Sequence, residues 1–171
     1  MAPPPAPAPR PPSAVLEIRK DRLGFAAAHF SILETGSERI HGHNYRVSLR
    51  ADGRVRADGT VVDFGALKAA VAEECQALDH RMLVPAECPE VAVEELGDGH
   101  IEMREGSRRF VFPAAEVCVL PLPNTTCECL AAYLLGRLRA RLPELEARLE
   151  VTVEESPGQG ATVTEPAPPE S

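Results

Sequence analysis

His41-Gly42-His43-Asn44-Tyr45-Arg46-Val47-Ser48-Leu49-Arg50-Ala51 sets His41, His43, Tyr45, Val47, Leu49 and Ala51 at every second position, with small or polar residues between them. That alternation is the period of a half-buried strand, and it aims both imidazoles from one face while Gly42 faces away. Upstream, Ala14 to Ala28 carries Val15, Ile18 and Leu23 among charged residues and reads as one or two strands leading to His29. A neighbouring strand that ends there can supply a third ring nitrogen. Three neutral His around zinc leave the fourth position open, which separates a catalytic site from a closed structural one. Nitrogen ligands also suit zinc better than magnesium. A lone His-x-His pair is more often a hydrogen-bonded feature of a sheet face than a metal site. His29 shifts that balance.

Downstream, Asp52-Gly53 and Asp58-Gly59 mark turns, and Val61-Val62 reads as the end of a short strand. Asp63 occupies a helix N-cap position, with Phe64, Leu67, Val71, Cys75 and Leu78 spaced as one apolar face. Asp63-Phe64-Gly65 spells a kinase magnesium motif, but no kinase Lys or catalytic loop accompanies it, so capping is the better reading. Three β-like pieces follow, around Val91 to Glu95, His100 to Glu105 and Arg108 to Phe112, with glycine-bearing turns between them, which predicts a hairpin or small meander. Thr125-Thr126-Cys127-Glu128 opens a second helix with Leu130, Tyr133, Leu134 and Leu138 on its apolar face. Leu149, Val151 and Val153 alternate in a last strand. The order of strands, helix, insert, helix and strand predicts an α+β fold.

Composition narrows the function. The 171 residues carry 18 Lys and Arg against 26 Asp and Glu, a formal charge of -8, the wrong sign for wrapping a nucleic-acid backbone. No run of eighteen apolar residues and no leader pattern is found, so no membrane partner and a cytoplasmic location are expected. Five Cys at irregular spacings read as buried thiols, and Cys127-x-Cys129 lacks the second pair of a zinc finger. Of 17 prolines, seven fall in the first twelve residues and four after Ser156. Such ends bury too little surface to offset their ordering entropy. The expectation is a disordered tail over 1–12, one domain over 13–163 with an insert at about 84–123, and a disordered tail over 164–171.

As an ordered set, several motifs resemble the 6-pyruvoyltetrahydropterin synthase family, which includes the 6-carboxytetrahydropterin synthases of the queuosine pathway. They are Phe25-Ala26-Ala27-Ala28-His29, His41-Gly42-His43-Asn44-Tyr45, Val62-Asp63-Phe64-Gly65-Ala66-Leu67-Lys68, Leu78-Asp79-His80-Arg81, Asn124-Thr125-Thr126-Cys127-Glu128 and Val153-Glu154-Glu155. The resemblance implies a tunnelling fold, an antiparallel four-stranded sheet with two helices on one face. It also implies assembly as a hexamer of two stacked trimers with sites between subunits, and 7,8-dihydroneopterin triphosphate as substrate. Residue by residue, the family's zinc ligands fall on His29, His41 and His43, its catalytic pair on Asp79 and His80, and its pterin-gripping carboxylate on Glu155. Thr126 and Glu128 fall at substrate-binding positions. Thr125-x-x-Glu128 equally fits a capping box, and both roles stand. Without the resemblance, Glu155 reads as a solvated edge residue, and Asp79 and His80 as the end of the first helix.

One departure bears on the reaction. Family members that make 6-pyruvoyl or 6-carboxy products carry a Cys upstream of His-Gly-His, and its two usual positions are Thr35 and Ser37 here. Glu38 stands in this loop instead. That pattern resembles the branch that cleaves the side chain to 6-hydroxymethyl-7,8-dihydropterin, a precursor of folate-type cofactors. A carboxylate beside the metal can take a hydroxyl proton as the first two side-chain carbons part in a retro-aldol step. Because a Glu ordinarily titrates near 4.3, this role asks for partial desolvation of Glu38. His80, oriented by Asp79, would return the proton. Arg39, Arg46, Lys68 and Arg81 are the cations nearest the motifs for the triphosphate. The leading expectation is a zinc-dependent lyase of this kind. The alternatives are a 6-carboxy or 6-pyruvoyl synthase, a non-catalytic pterin- or zinc-binding module, and a metal hydrolase.

Overall fold

Ser13–His29 forms one strand, β1, in the computed structural model, which describes residues 12–166. A two-residue hairpin follows, Ile32–Leu33 (β2) with Gly36–Ser37 (β3), and then the long strand His41–Arg54 (β4). Helix α1 spans Phe64–Leu78 and strand β5 spans Arg81–Pro85. The insert contains Val91–Glu95 (β6), His100–Glu105 (β7) and Arg108–Pro113 (β8), and returns through Val117–Leu120 (β9). Helix α2, Cys127–Arg141, leads to Arg148–Ser156 (β10) and Gln159–Thr164 (β11). Among the described residues no helix is long and apolar enough to cross a membrane.

The antiparallel ladder of β1 and β4 fixes the site. Its register sets His29 opposite His41, Ala27 opposite His43 and Phe25 opposite Tyr45. A register shift between Arg19 and Gly24 permits this, because the backbones crowd there. A Cβ on Gly24 would lie 2.1 Å from the Tyr45 carbonyl oxygen, so only glycine fits. One face of β1, β4 and β10 buries Phe25, Val47, Leu49, Val151 and Val153 against Leu67, Val71, Leu130, Leu134 and Leu138 of the helices. Both helices therefore pack on one face, as expected. Asp63 caps α1 by accepting from the Gly65 N–H at 2.7 Å, whereas Phe64 stays 42% exposed rather than joining the buried face.

The sheet has six strands, not four, in the order β11-β10-β4-β1-β5-β9. The chain leaving α1 turns alongside β1 and pairs in parallel, and β9 pairs in parallel with β5. Neither strand is among those expected from the sequence, because a short apolar run such as Met82-Leu83-Val84 shows no alternation. The remaining four strands are the expected antiparallel set. Val61-Val62 is a bend rather than a strand, with both side chains buried. At the C-terminal end, order extends past 163. β11 runs to Thr164, and Glu165 accepts from Arg139 Nε at 2.7 Å and from the Leu149 N–H at 2.9 Å. Of the expected tails over 1–12 and 164–171, residues 1–11 and 167–171 lie outside the described residues.

The insert is a three-stranded antiparallel meander, β6-β7-β8. It encloses a second, smaller core of Phe30, Met82, Val84, Val91, Ile101, Met103 and Val117. Phe30 follows His29 directly and is 1% exposed. Successive strand residues face opposite ways, so the chain at this point sends His29 towards one core and Phe30 towards the other.

Candidate metal centre and active site

Directly opposed antiparallel residues share a face, so the register alone brings the three histidines together. Ring centroids lie 4.6 Å apart for His29 and His41, 5.2 Å for His29 and His43, and 4.9 Å for His41 and His43. One ligand nitrogen from each falls within 4.8 Å of the others. Tetrahedral zinc with bonds near 2.1 Å holds its ligands about 3.4 Å apart, a separation within reach of small side-chain adjustments. Ala27, opposite His43, leaves room for that ring.

The hydrogen bonds fit a metal. His29 Nδ1 faces the Thr125 carbonyl oxygen at 3.1 Å, and His41 Nδ1 faces the Arg39 carbonyl oxygen at 2.7 Å. Each Nδ1–H donates to its carbonyl, which leaves Nε2 with the free lone pair, as in metal-ligating histidines. His29 Nε2 is buried and has no hydrogen-bond partner among the described residues, a costly state for a polar atom unless something binds it. Burial, followed by the neighbouring His41 and His43, lowers the His29 pKa below 6.5 and favours the neutral, ligand-competent ring.

A cavity of about 310 Å³ opens beside this cluster, lined by Glu38, His41, His43, Thr126, Glu128 and Glu155 among others. With the adjoining His29, seven of the nine expected site residues come together. Glu38 sits just after β3. Its N–H donates to the Ser31 carbonyl at 2.9 Å, and its Oε2 accepts from the Ser31 N–H at 3.2 Å. It is exposed, so the desolvation expected around this carboxylate is not provided by the protomer. Glu155 Oε2 lies 4.0 Å from His43 Nε2 and accepts from the Cys127 thiol at 3.7 Å. β11 covers β10, so Glu155 is not on a solvated edge. The capping box is also corrected. Thr126, not Thr125, caps α2 by accepting from the Cys129 N–H, while Thr125 is buried and donates its hydroxyl to the Phe30 carbonyl at 2.7 Å. This leaves the Glu128 carboxylate exposed in the cavity wall.

Asp79 and His80 are placed elsewhere. Asp79 ends α1 and accepts from the Ala26 N–H at 2.7 Å, while the His80 N–H donates to the Ala26 carbonyl at 2.6 Å. His80 takes a left-handed φ of 55°. Although sequence neighbours on a helix do not meet, these residues lie past the last turn, and Asp79 Oδ2 is 2.8 Å from His80 Nδ1. The bond from the Ala26 N–H, then the His80 contact, hold the Asp79 carboxyl below its ordinary value. His80 and Arg81 line a different cavity, of about 500 Å³, together with Ala26, Ala28 and Asn44, which alternate with the histidine-bearing positions and so face the other side of the sheet. His43 borders both cavities.

Two residues of the site escaped sequence reasoning. Tyr45, read only as an apolar strand position, stacks on Phe25 with centroids 4.7 Å apart and sets its edge against His29 and His43. Its hydroxyl is buried without a partner among the described residues, and burial raises its pKa. Cys127 lines the histidine cavity. Burial and the adjacent Glu155 push that thiol up to about 11, so it stays protonated at neutral pH.

Comparison with known proteins agrees with this arrangement. Residues 17–166 match the 6-pyruvoyl tetrahydropterin synthase family. A Methanocaldococcus jannaschii protein provisionally named 6-carboxy-5,6,7,8-tetrahydropterin synthase is 33% identical over 144 residues, covering 81% of this chain and 88% of its own. A Pyrococcus horikoshii protein of the same provisional name is 34% identical over 143 residues, covering 82% and 85%. The crystal structure of 6-pyruvoyl tetrahydropterin synthase from Plasmodium vivax superposes with a TM-score of 0.85 at 32% identity, over 90% of this chain and 98% of that one. The P. vivax enzyme has also been solved with a catalytic glutamate replaced by alanine and by cysteine. With a tunnelling fold and a function of the 6-pyruvoyl or 6-carboxytetrahydropterin synthase type, the chain belongs to the 6-pyruvoyl tetrahydropterin synthase family.

Proposed function

We propose that the protein is a zinc-dependent lyase that cleaves the side chain of 7,8-dihydroneopterin triphosphate to leave 6-hydroxymethyl-7,8-dihydropterin. The observation that carries this reading is Glu38. It lines the histidine cavity at the point in the loop where Thr35 and Ser37 stand in place of a thiol. The catalytic glutamate of the P. vivax relative supports it.

His29 and His41 would bind zinc through Nε2, with His43 as the third ligand. When bound, zinc supplies Lewis acidity that lowers the pKa of substrate hydroxyls. Glu38 accepts the proton of the second side-chain hydroxyl as that carbon becomes a carbonyl, the bond to the first side-chain carbon breaks, and the electron pair passes towards the pterin ring. Glu155 accepts two hydrogen bonds from the amide and amino edge of the pterin, which fixes its orientation. Thr126 and Glu128 border the same space.

A second copy of the chain completes this site. The histidine cavity carries three carboxylates, and no Lys or Arg lines it among the described residues, although the substrate bears a triphosphate. The face with His80 and Arg81 has the missing chemistry. His80, oriented by Asp79, returns the proton to the product carbon from across the subunit boundary, and docking of that face desolvates Glu38. A hexamer of two stacked trimers is the assembly that this reading takes from the family.

The test is to incubate the zinc-loaded protein with 7,8-dihydroneopterin triphosphate and weigh the pterin formed. A hydroxymethyl product supports the reading, and a carboxyl or pyruvoyl product sinks it. Glu38→Gln is expected to lower kcat about 10²- to 10⁴-fold without loss of bound zinc. The names of the M. jannaschii and P. horikoshii relatives favour 6-carboxytetrahydropterin synthase as the second reading. The same mass measurement decides between them.

A further inference from the structure

We propose that Arg108, on the insert strand β8, is a positioning residue that holds the Glu38 loop against the histidine cluster. Arg108 Nη1 donates to the Glu38 carbonyl oxygen at 2.8 Å, and Nη2 donates to Ser37 Oγ. The fork therefore grips the two residues that place the carboxylate. Seventy positions separate Arg108 from Glu38 in the chain. The guanidinium is itself fixed. Nε donates to Glu105 Oε2 at 2.6 Å, and the Phe30 and Phe110 ring centroids each lie 5.7 Å from the guanidinium carbon. Such a rigid, planar donor defines direction as well as distance.

The opposite side of the loop is held independently. Asn124 accepts from the Ile32 N–H at 3.2 Å and donates to the Ile32 carbonyl at 2.7 Å, in the manner of a strand partner. Between Ile32 and His41 the chain has only the two-residue pairing of β2 with β3. Without Arg108, the end that bears Glu38 keeps its bonds to Ser31 and loses its tie to the meander. A displacement of about 1 Å of a reacting group costs on the order of a hundredfold in rate. The insert thus acts on catalysis through this residue, without lining the histidine cavity.

This inference rests on Glu38 being the base, so its test separates the two claims. Turnover is measured with zinc-loaded, full-length wild type, Arg108→Ala, Glu38→Ala and the double variant, with bound zinc quantified in each. Arg108→Ala is expected to lower kcat about 30- to 100-fold, with KM within about twofold and zinc unchanged. In the Glu38→Ala background the same substitution is expected to add nothing, because it acts through a carboxylate no longer present. Arg108→Lys keeps the charge but not the fork, and is expected to retain less than about a third of the wild-type kcat. In the metal-free protein, hydrogen exchange at the Glu38 amide is expected to quicken about tenfold in Arg108→Ala.

Multiplying effects in the double variant, a rise in KM in place of the fall in kcat, or unchanged exchange at Glu38 each overturn the role of Arg108 and leave the base in place. If Glu38→Ala turns over like wild type, the base itself fails and Arg108 loses its role with it.

Discussion

The three histidines and Glu38, the proposed base, are held by different means. His29, His41 and His43 stand on the β1–β4 ladder, where backbone register alone decides which rings meet. Glu38 stands on a loop whose place depends on side chains from far along the chain, Arg108 on one side and Asn124 on the other. The first region is rooted in the large core beneath two helices, and the second leans on the small core under the insert. The proposed metal site is therefore built on the strands of the larger core. The carboxylate on which the proposed reaction turns sits on a loop held by side-chain contacts.

The largest test of this contrast is His43→Ala. Loss of one of three ligands is expected to empty the site of zinc and to lower turnover by roughly 10³-fold or more, since a metal supplies several kcal/mol of transition-state stabilisation. Zinc analysis beside the rate measurement checks it, and full zinc occupancy would break the assignment. Next in size are two core truncations. Leu134→Ala and Met103→Ala, both fully buried, are each expected to cost about 2–5 kcal/mol. They differ in where the loss appears. Leu134→Ala lowers the stability of the whole domain in denaturant titration, whereas Met103→Ala loosens the meander in hydrogen exchange and lowers kcat with it. A loosened meander with unchanged kcat would mean that the insert does not hold the loop.

Acid sharpens the same division. Burial pushes the Glu74 carboxyl up, but hydrogen bonds from Arg137 and Arg141 and their charges more than reverse this, so it lies below 4.5. A depressed carboxyl contributes its stability in full above the ordinary value and loses it as pH falls through the folded one. The helix pair joined by Glu74 is thus expected to weaken below about pH 4.5, seen as a falling Tm, and Glu74→Gln is expected to flatten that slope. The smallest effect is Thr126→Ala, which removes the α2 cap and is expected to lower stability by about 1 kcal/mol in thermal unfolding.

The sequence made the local half of this molecule legible. Alternation from His41 to Ala51 marked a strand and the face of its rings, Asp63 marked a helix start, and the three meander strands fell where the turn glycines bounded them. What stayed hidden was pairing over distance. Arg81–Pro85 and Val117–Leu120 carry no alternation that marks them as strands, and nothing local shows that the first lies parallel beside β1 and the second parallel beside β5. β11 was missed because Gln159, Gly160 and Thr162 dilute its apolar pattern. The capping-box pattern pointed to Thr125, but the Phe30 carbonyl takes the Thr125 hydroxyl and the cap falls to Thr126. Arg108 was read only as the start of a meander strand, since nothing local tells a solvated arginine from one that grips a loop.

The Asn124–Thr125 seam sets a rule for how the chain can change length. Asn124 zips to Ile32, and Thr125 to Phe30 and His29, so the residues just ahead of α2 are keyed to the end of β1. Extra residues at the meander tip around Asp98 leave that key engaged, and the insert can lengthen there at no cost to the chemistry. One residue added between Asn124 and Thr125 would break the spacing of that key, turning a change outside the cavity into the loss of the ring orientation at its heart.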